Sequence, residues 1–399
     1  MVNFLHISVS LLIPAFCHAN WLDPPDTAGQ IESNGYPAEV HYATTEDGYI
    51  LKMFRIPRGK RSSLINKPIL IMHGLLCSSD CWTIGGPQKA LAYILADNGY
   101  DVWLGNSRGN TYSKSHLTIP NNDPKFWDFS MHEQGYYDLP AMIDLIRAQT
   151  GEYSVSYIGH SQGATIFFVM ASMRPEYQDK ITVAVQYAPV AFLNYGRGII
   201  PTLSTFSSTL ATIGHALRIN SFLHNNVLIR WFGNYFCSKS SPINWFCWDL
   251  MFAIAGVDTS LINKMPFDEV TRYCPTGASV KQIDHFVQLT KNGGYFRQFD
   301  YGPVTNLVKY GSATPPEYPL EAITVPMVLV SAENDSIATM PEVAQLIRKL
   351  KNVKAQWIVA DGSFNHVDFM WNPNVTSLVY DTTISQITQF RSSFYQKMN

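Results

Sequence analysis

Gly159-His160-Ser161-Gln162-Gly163 stands between an apolar-rich run at residues 153–158 and an apolar helical stretch at 164–173. In that context a GxSxG pentapeptide reads as a sharp strand-to-helix turn, and this constrains the chain more than any other feature. The two glycines have a mechanical reason. The backbone must approach its neighbours so closely that no Cβ fits, and the serine between them is held in a sparsely populated conformation. Another apolar run follows at residues 183–187. Strand, tight turn, helix and strand in that order are the repeating unit of a parallel sheet with crossover helices.

The other apolar runs agree. Residues 39–44 and 49–56 alternate around Glu46-Asp47-Gly48 and predict an opening hairpin. Residues 69–72 and 101–104 read as buried strands, ending at His73-Gly74 and Gly105-Asn106. Helical spacing marks residues 88–96 and 136–146; strands return at 326–331 and 355–359, and a closing helix is expected over 384–395. From Tyr195 to Tyr301 the alternation is lost, aromatics crowd at Trp231-Phe232 and Trp245-Phe246-Cys247-Trp248, and Gly and Pro punctuate short helical pieces. The expected fold is α/β: a mostly parallel central sheet with flanking helices, built from residues 20–194 and 302–399 and interrupted by a mainly helical cap over 195–301.

Composition limits the partners. With 46% hydrophobic and 15% charged residues, the 399-residue chain has ample material for a buried core. A formal net charge of −2 without any run of Lys or Arg lacks the electrostatic footprint of a nucleic-acid binder. Residues 4–16 are mostly apolar, and Cys17-His18-Ala19 has the small-x-Ala form of a leader-peptidase site, so residues 1–19 are expected to be a signal peptide and Asn20 the mature start. Such an interrupted run falls short of the roughly 20 apolar residues that a spanning helix needs, and no later stretch is long enough. No transmembrane segment is expected; secretion or lysosomal delivery is.

Disulfides persist on that route. Once Cys17 leaves, an odd number of cysteines remains, so at least one thiol stays free. Cys237 and Cys247, close together in one aromatic, loop-rich segment, are the expected local pair; Cys77 could pair with Cys81, and Cys274 is unassigned. No paired CxxC spacing points to a metal.

A serine hydroxyl at its ordinary pKa is a poor nucleophile, so Ser161 needs a base and a group that orients the base. In folds with this elbow they follow in the order serine, acid, histidine. Asp335 lies just past the strand at 326–331, and His366 past the strand at 355–359. Both therefore belong to carboxyl ends of strands, on the rim that carries Ser161. Glu333, Asp361 and Asp368 compete for the acid role, but the last two share the histidine's own loop. Among the histidines, His285 falls in the insertion, His160 inside the elbow, and His73 at the end of the first core strand, where its expected task is orienting backbone. Only His366 follows the acid in the core. An oxyanion requires two backbone donors, expected from Gln162, directly after the serine, and Leu75 in His73-Gly74-Leu75-Leu76. Together these are the parts of an α/β-hydrolase, and they require no metal or organic cofactor.

The chain also resembles the acid lipase family, the gastric and lysosomal acid lipases and their insect relatives. The resemblance rests on His73-Gly74-Leu75-Leu76 with Ser78-Ser79, Gly105-Asn106-Ser107-Arg108-Gly109-Asn110, Gly159-His160-Ser161-Gln162-Gly163 and Asn365-His366-Val367-Asp368-Phe369. Trp127-Asp128-Phe129-Ser130 with Glu133, Tyr136 and Asp138-Leu139-Pro140 adds to it. These motifs run in order from about residue 30 to the end of the chain. The resemblance implies a triad of Ser161, Asp335 and His366, oxyanion donors Leu75 and Gln162, and a cap disulfide between Cys237 and Cys247. It also implies hydrolysis of ester bonds in neutral lipids, triacylglycerols or cholesteryl esters, commonly at acidic pH and beneath a cap with a mobile lid. Two departures stand out. Members often have a further cap cysteine where Ala255 stands here, and they often have more glycosylation sites. This chain offers Asn374-Val375-Thr376 and Asn334-Asp335-Ser336, of which the second overlaps the acid, so Asn374 is the expected acceptor.

Crowded Trp, Phe and Ile in the insertion suit contact with a lipid–water interface as well as they suit the packing of a cap. The expected partner is a neutral lipid substrate, met by a monomer. One rival is a lipid-binding or storage protein that has lost catalysis, against which the intact set Ser161, Asp335 and His366 stands. Another is an acyltransferase, in which the same parts pass the acyl group to an alcohol instead of water.

Overall fold

The computed structural model of the chain describes residues 24–60, 67–198, 200–202, 205, 220–223, 230–231, 233–262 and 264–398. The expected signal peptide at 1–19, the expected start at Asn20 and part of the 195–301 insertion lie outside the described residues.

Strands β1 (Glu39–Thr44) and β2 (Tyr49–Ile56) form the hairpin expected around Glu46-Asp47-Gly48. They are followed by β3 (Pro68–Met72), β4 (Asp101–Leu104), the short β5 (Ser115–His116), β6 (Val155–His160) and β7 (Ile181–Tyr187). Within the segment expected to be an insertion, β8 (Ser221–Phe222) pairs with β9 (Ala278–Ser279), apart from the main sheet. The sheet is completed by β10 (Met327–Ser331) and β11 (Val353–Ile358), giving the order β1-β2-β4-β3-β6-β7-β10-β11, with β5 attached to β2. From β4 through β11 every neighbour is parallel; only the β1, β2 and β5 side is antiparallel.

Strands β3, β4, β6, β7 and β10 are buried along their whole length. That is why they read as largely apolar runs without a polar alternation: helices cover both faces of a parallel sheet, so neither face selects polar residues. β11, at the edge, alternates between half-buried and exposed positions instead. Helix Leu139–Thr150 packs on β1, β3 and β6, and the closing helix Asp381–Met398 packs on β7. Helix Gln162–Met173 is buried from Gln162 through Ser172, and each of Phe167 and Phe168 contributes about 2–3 kcal/mol by leaving water.

The structure moves two helix starts. The helix expected at 88–96 is Leu91–Asp97, because Ala90 is extended at φ −83° and ψ 129° and serves as the N-cap. The stretch expected as one helix at 136–146 begins as a π-helical turn at Gln134–Asp138 before Leu139–Thr150. In that turn Gly135 lies against the elbow helix so tightly that a Cβ would sit 2.5 Å from the Val169 side chain. No helix among the described residues is long and apolar enough to cross a membrane.

Register decides where the functional loops emerge. Met72 pairs with Gly159, His160 with Tyr187, Tyr187 with Val330, and Ser331 with Ile358. The loops after β3, β6, β7, β10 and β11 therefore leave the sheet at one rim.

Candidate active site

At that rim β6 ends in His160, and Ser161 makes the turn with φ 54° and ψ −115°, a left-handed conformation that a side chain adopts only under constraint. Its amide is tied down by donating to the Tyr187 carbonyl at 3.0 Å, while Gln162 starts the helix. The flanking glycines have the steric role expected of them: a Cβ on Gly163 would lie 2.6 Å from the Met72 carbonyl oxygen, and one on Gly159 would lie 2.7 Å from the Gln186 side chain.

The Ser161 hydroxyl donates to His366 Nε2 at 2.8 Å, and His366 Nδ1 donates to Asp335 Oδ2 at 2.8 Å and Oδ1 at 3.0 Å. Asp335 is fully buried, His366 is 5% exposed and Ser161 8%. Asp335 Oδ1 also accepts from the amides of Ile337 and Ala338, both at 2.8 Å, which holds the carboxylate in one orientation. The rival acids are engaged elsewhere: Asp361 accepts from Ser363, and Asp368 accepts from the Asn365 amide. His285 is buried in the insertion and donates to the Arg297 carbonyl.

Sequence reasoning missed what clamps these loops. The carbonyl of Ala255, at the end of helix Trp245–Ala255, accepts from the amides of both Ser336 and His366, at 3.2 and 3.1 Å. The Asn365 side chain donates to Gly256 O at 3.0 Å, and that of Asn334 to Val257 O at 2.7 Å. Arg197 reaches the acid loop from the other end, donating to the carbonyls of Glu333 and Asp335. The available signal was an asparagine immediately before each of Asp335 and His366. Gly256 sits at φ 115°, and a Cβ there would meet Asn334 O at 2.1 Å. Gly256→Ala is therefore expected to displace the acid loop and lower kcat by about tenfold or more with the fold retained, a loss that ester-hydrolysis kinetics would read. An unchanged kcat would show that the clamp does not set the geometry of the site.

The two expected oxyanion donors come from different segments, Gln162 from the elbow and Leu75 from the loop after β3. The Gln162 amide is the first of its helix, so it has no acceptor within the helix. His73 controls the other segment: its Nδ1–H donates to Gly74 O at 2.8 Å, while its Nε2 accepts from the Ser107 amide and the Asn110 side chain. Because a trans peptide places N–H opposite C=O, fixing the Gly74 carbonyl also fixes the direction of the Leu75 N–H. Burial lowers the His73 pKa to about 4 and the His160 pKa to about 3, so both rings are neutral struts at ordinary pH. His160 Nε2–H donates to the His366 carbonyl at 2.8 Å, bracing the loop that carries the base.

Cys237 and Cys247 are joined by a disulfide, with Cys247 in the first turn of helix Trp245–Ala255. Cys77 and Cys81, expected as a possible pair, are both free, and each has its sulfur against Cys274 instead. Asn374 is exposed, as a glycan acceptor must be; Asn334 is committed to its two carbonyl partners.

With this geometry in view, the comparisons with known proteins take on weight. Residues 27–86 match the family described as the partial alpha/beta-hydrolase lipase region, and residues 67–199 match the alpha/beta hydrolase fold. The chain is 39% identical over 372 residues to Lipase 3 of Drosophila melanogaster, covering 92% of this chain and 93% of that protein. It is 37% identical over 397 residues to the gastric triacylglycerol lipase of Bos taurus, covering 97% and 98%. This chain belongs to the acid lipase family. It is a hydrolase of the lipase type, as both the fold and these relatives have it. Among solved structures, a soluble variant of the monoglyceride lipase of Saccharomyces cerevisiae matches with a TM-score of 0.54 at 15% identity, over 89% of this chain and 98% of that one, a likeness of fold alone.

Three buried carboxyls are expected to make the stability of this acid lipase fall as pH rises. Burial pushes Asp368 up to about 8, with Asp258 and Asp361 adding to it, and burial pushes Glu342 up to about 7 and Asp138 to about 6. A folded-state pKa above the unfolded value means that the native protein holds its proton more tightly. The resulting stabilisation is complete below about pH 4 and is lost as pH rises through 6 to 8. Thermal melts are expected to show a midpoint several degrees lower at pH 8 than at pH 5, and Asp368→Asn is expected to flatten that slope. A midpoint that rises toward pH 8 would contradict this.

Proposed function

We propose that this acid lipase hydrolyses carboxylic esters of neutral lipids through an acyl-enzyme on Ser161. The observation that carries this reading is the continuous hydrogen-bonded line from Ser161 Oγ through His366 to Asp335, every link between 2.8 and 3.0 Å. His366 Nε2 takes the hydroxyl proton as Ser161 Oγ attacks the ester carbonyl. The amides of Leu75 and Gln162 hold the oxyanion, and Asp335 stabilises the imidazolium and fixes its tautomer. His366 then protonates the departing alcohol, and water, activated by the same imidazole, releases the fatty acid. All these groups come from one chain, so a monomer suffices.

The neutral-lipid reading is supported by the cap. We assign residues 195–301 to it; Ser161 is almost wholly buried, and Trp231, Tyr235, Trp245, Phe246 and Leu250 are exposed within that segment, apolar side chains suited to a lipid–water interface. Passage through the secretory route, to the outside or the lysosome, is supported by the apolar residues 4–16 and by the Cys237–Cys247 bridge.

The test measures fatty acid released from emulsified trioleoylglycerol and from a short-chain p-nitrophenyl ester between pH 4 and 8, together with the position of a fluorophosphonate label. Release from both substrates with the label on Ser161 is expected. A folded protein that releases nothing and takes no label overturns the reading in favour of lipid binding or storage. Esters formed with an added alcohol in place of free acid would mark an acyltransferase.

A further inference from the structure

Cys77 and Cys81 lie on the segment that leaves β3, immediately beyond Leu75, with Cys81 inside the single helical turn Ser79–Trp82. Cys274 arrives from the insertion, at the end of helix Phe267–Tyr273. The Cys81 and Cys274 sulfurs are 3.5 Å apart and those of Cys77 and Cys274 3.9 Å, although 193 residues of chain separate the first pair. The backbones are already docked: the Thr276 amide donates to Leu76 O at 2.9 Å, and its hydroxyl to Cys77 O at 2.6 Å.

We propose that Cys81 and Cys274 are the two halves of a second disulfide, one that staples the cap to the loop carrying the Leu75 amide, with Cys77 left as the adjacent free thiol. The sulfurs need approach by only about 1.5 Å to reach bonding distance. A bound metal is disfavoured here, since three thiolates around one ion would form an anionic cluster beside the buried carboxyl of Asp80. The proposal rests on the secretory reading, which supplies the oxidant, a glutathione-type disulfide. Cys274, the more exposed partner, gives up its proton to solvent as its sulfur attacks, and expels one glutathione thiolate. Cys81 then attacks the Cys274 sulfur and expels the second. Two protein thiols are oxidised, one small disulfide is reduced, and the two protons end on the glutathione thiols.

The experiment is peptide mapping of the full chain under non-reducing conditions after alkylation, both as produced by a secretory host and after equilibration with oxidised and reduced glutathione. A linked Cys81–Cys274 peptide and an alkylated Cys77 are expected. Cys81→Ser and Cys274→Ser should each lower the melting midpoint by about 5 °C, and Cys77→Ser should leave it unchanged. All three thiols alkylated while Cys237–Cys247 remains linked would overturn the proposal. So would a metal present at one per chain that shields the three sulfurs. If Cys237 and Cys247 are themselves alkylated in the protein as produced, the secretory reading fails, and the glutathione-equilibrated sample alone decides the bridge.

Discussion

Ser161→Ala is expected to lower kcat for ester hydrolysis by about a million-fold, leaving the slow rate that substrate binding and the oxyanion donors sustain on their own. The hydroxyl is the one atom removed. Ser161 Oγ makes its bond to His366 Nε2 and holds no part of the fold together, since the turn is kept by the Ser161 amide on Tyr187 O and by the glycines on either side. Alanine has the same Cβ and meets the same φ of 54°, so the strain is neither relieved nor increased. The melting midpoint should therefore move by less than about 2 °C while the activity disappears. A variant that keeps more than a hundredth of the wild-type kcat would mean that another group is the nucleophile.

Asp335→Asn comes next, at about ten-thousand-fold in kcat. The amide is isosteric, and its oxygen can keep the two bonds from Ile337 and Ala338, so the loop stays in place. The Nδ2 group then presents a donor toward His366 Nδ1, where the carboxylate had presented an acceptor. The imidazole must bare Nδ1 and carry its proton on Nε2, facing Ser161, where it can no longer accept the hydroxyl proton. Because Asp335 is wholly buried, no water can take over the role. Asp361→Asn and Asp368→Asn, measured alongside, should lose less than about tenfold, since neither carboxylate reaches His366. Comparable losses in all three would show that the acid role is not held by Asp335 alone.

The fold and the family were legible in the sequence because both signals are local. A parallel sheet covered on both faces writes its strands as largely apolar runs, and the strands expected at 101–104 and 326–331 have the bounds that the structure gives, or lie one residue from them. The elbow is legible as a pentapeptide of fixed spacing, even though the atoms its glycines leave room for, on Met72 and Gln186, belong to neighbouring strands. Helix starts were less legible: the π-helical turn at Gln134–Asp138 depends on how closely Gly135 approaches Val169, a contact between separate helices.

From the sequence alone follow the strand-turn-helix at Ser161, the order serine, acid, histidine, and a rim of strand ends on which Asp335 and His366 must lie, because periodicity and chain order carry that information. Only the tertiary structure decides that the three side chains meet at 2.8 Å, that Ala255, Gly256 and Val257 clamp the loops of Asp335 and His366, and that Cys274 faces Cys77 and Cys81. Each of these joins segments far apart in the chain through a few polar atoms or sulfurs. Such contacts leave no periodic trace, since the residues that make them take their partners from packing and not from their neighbours in sequence.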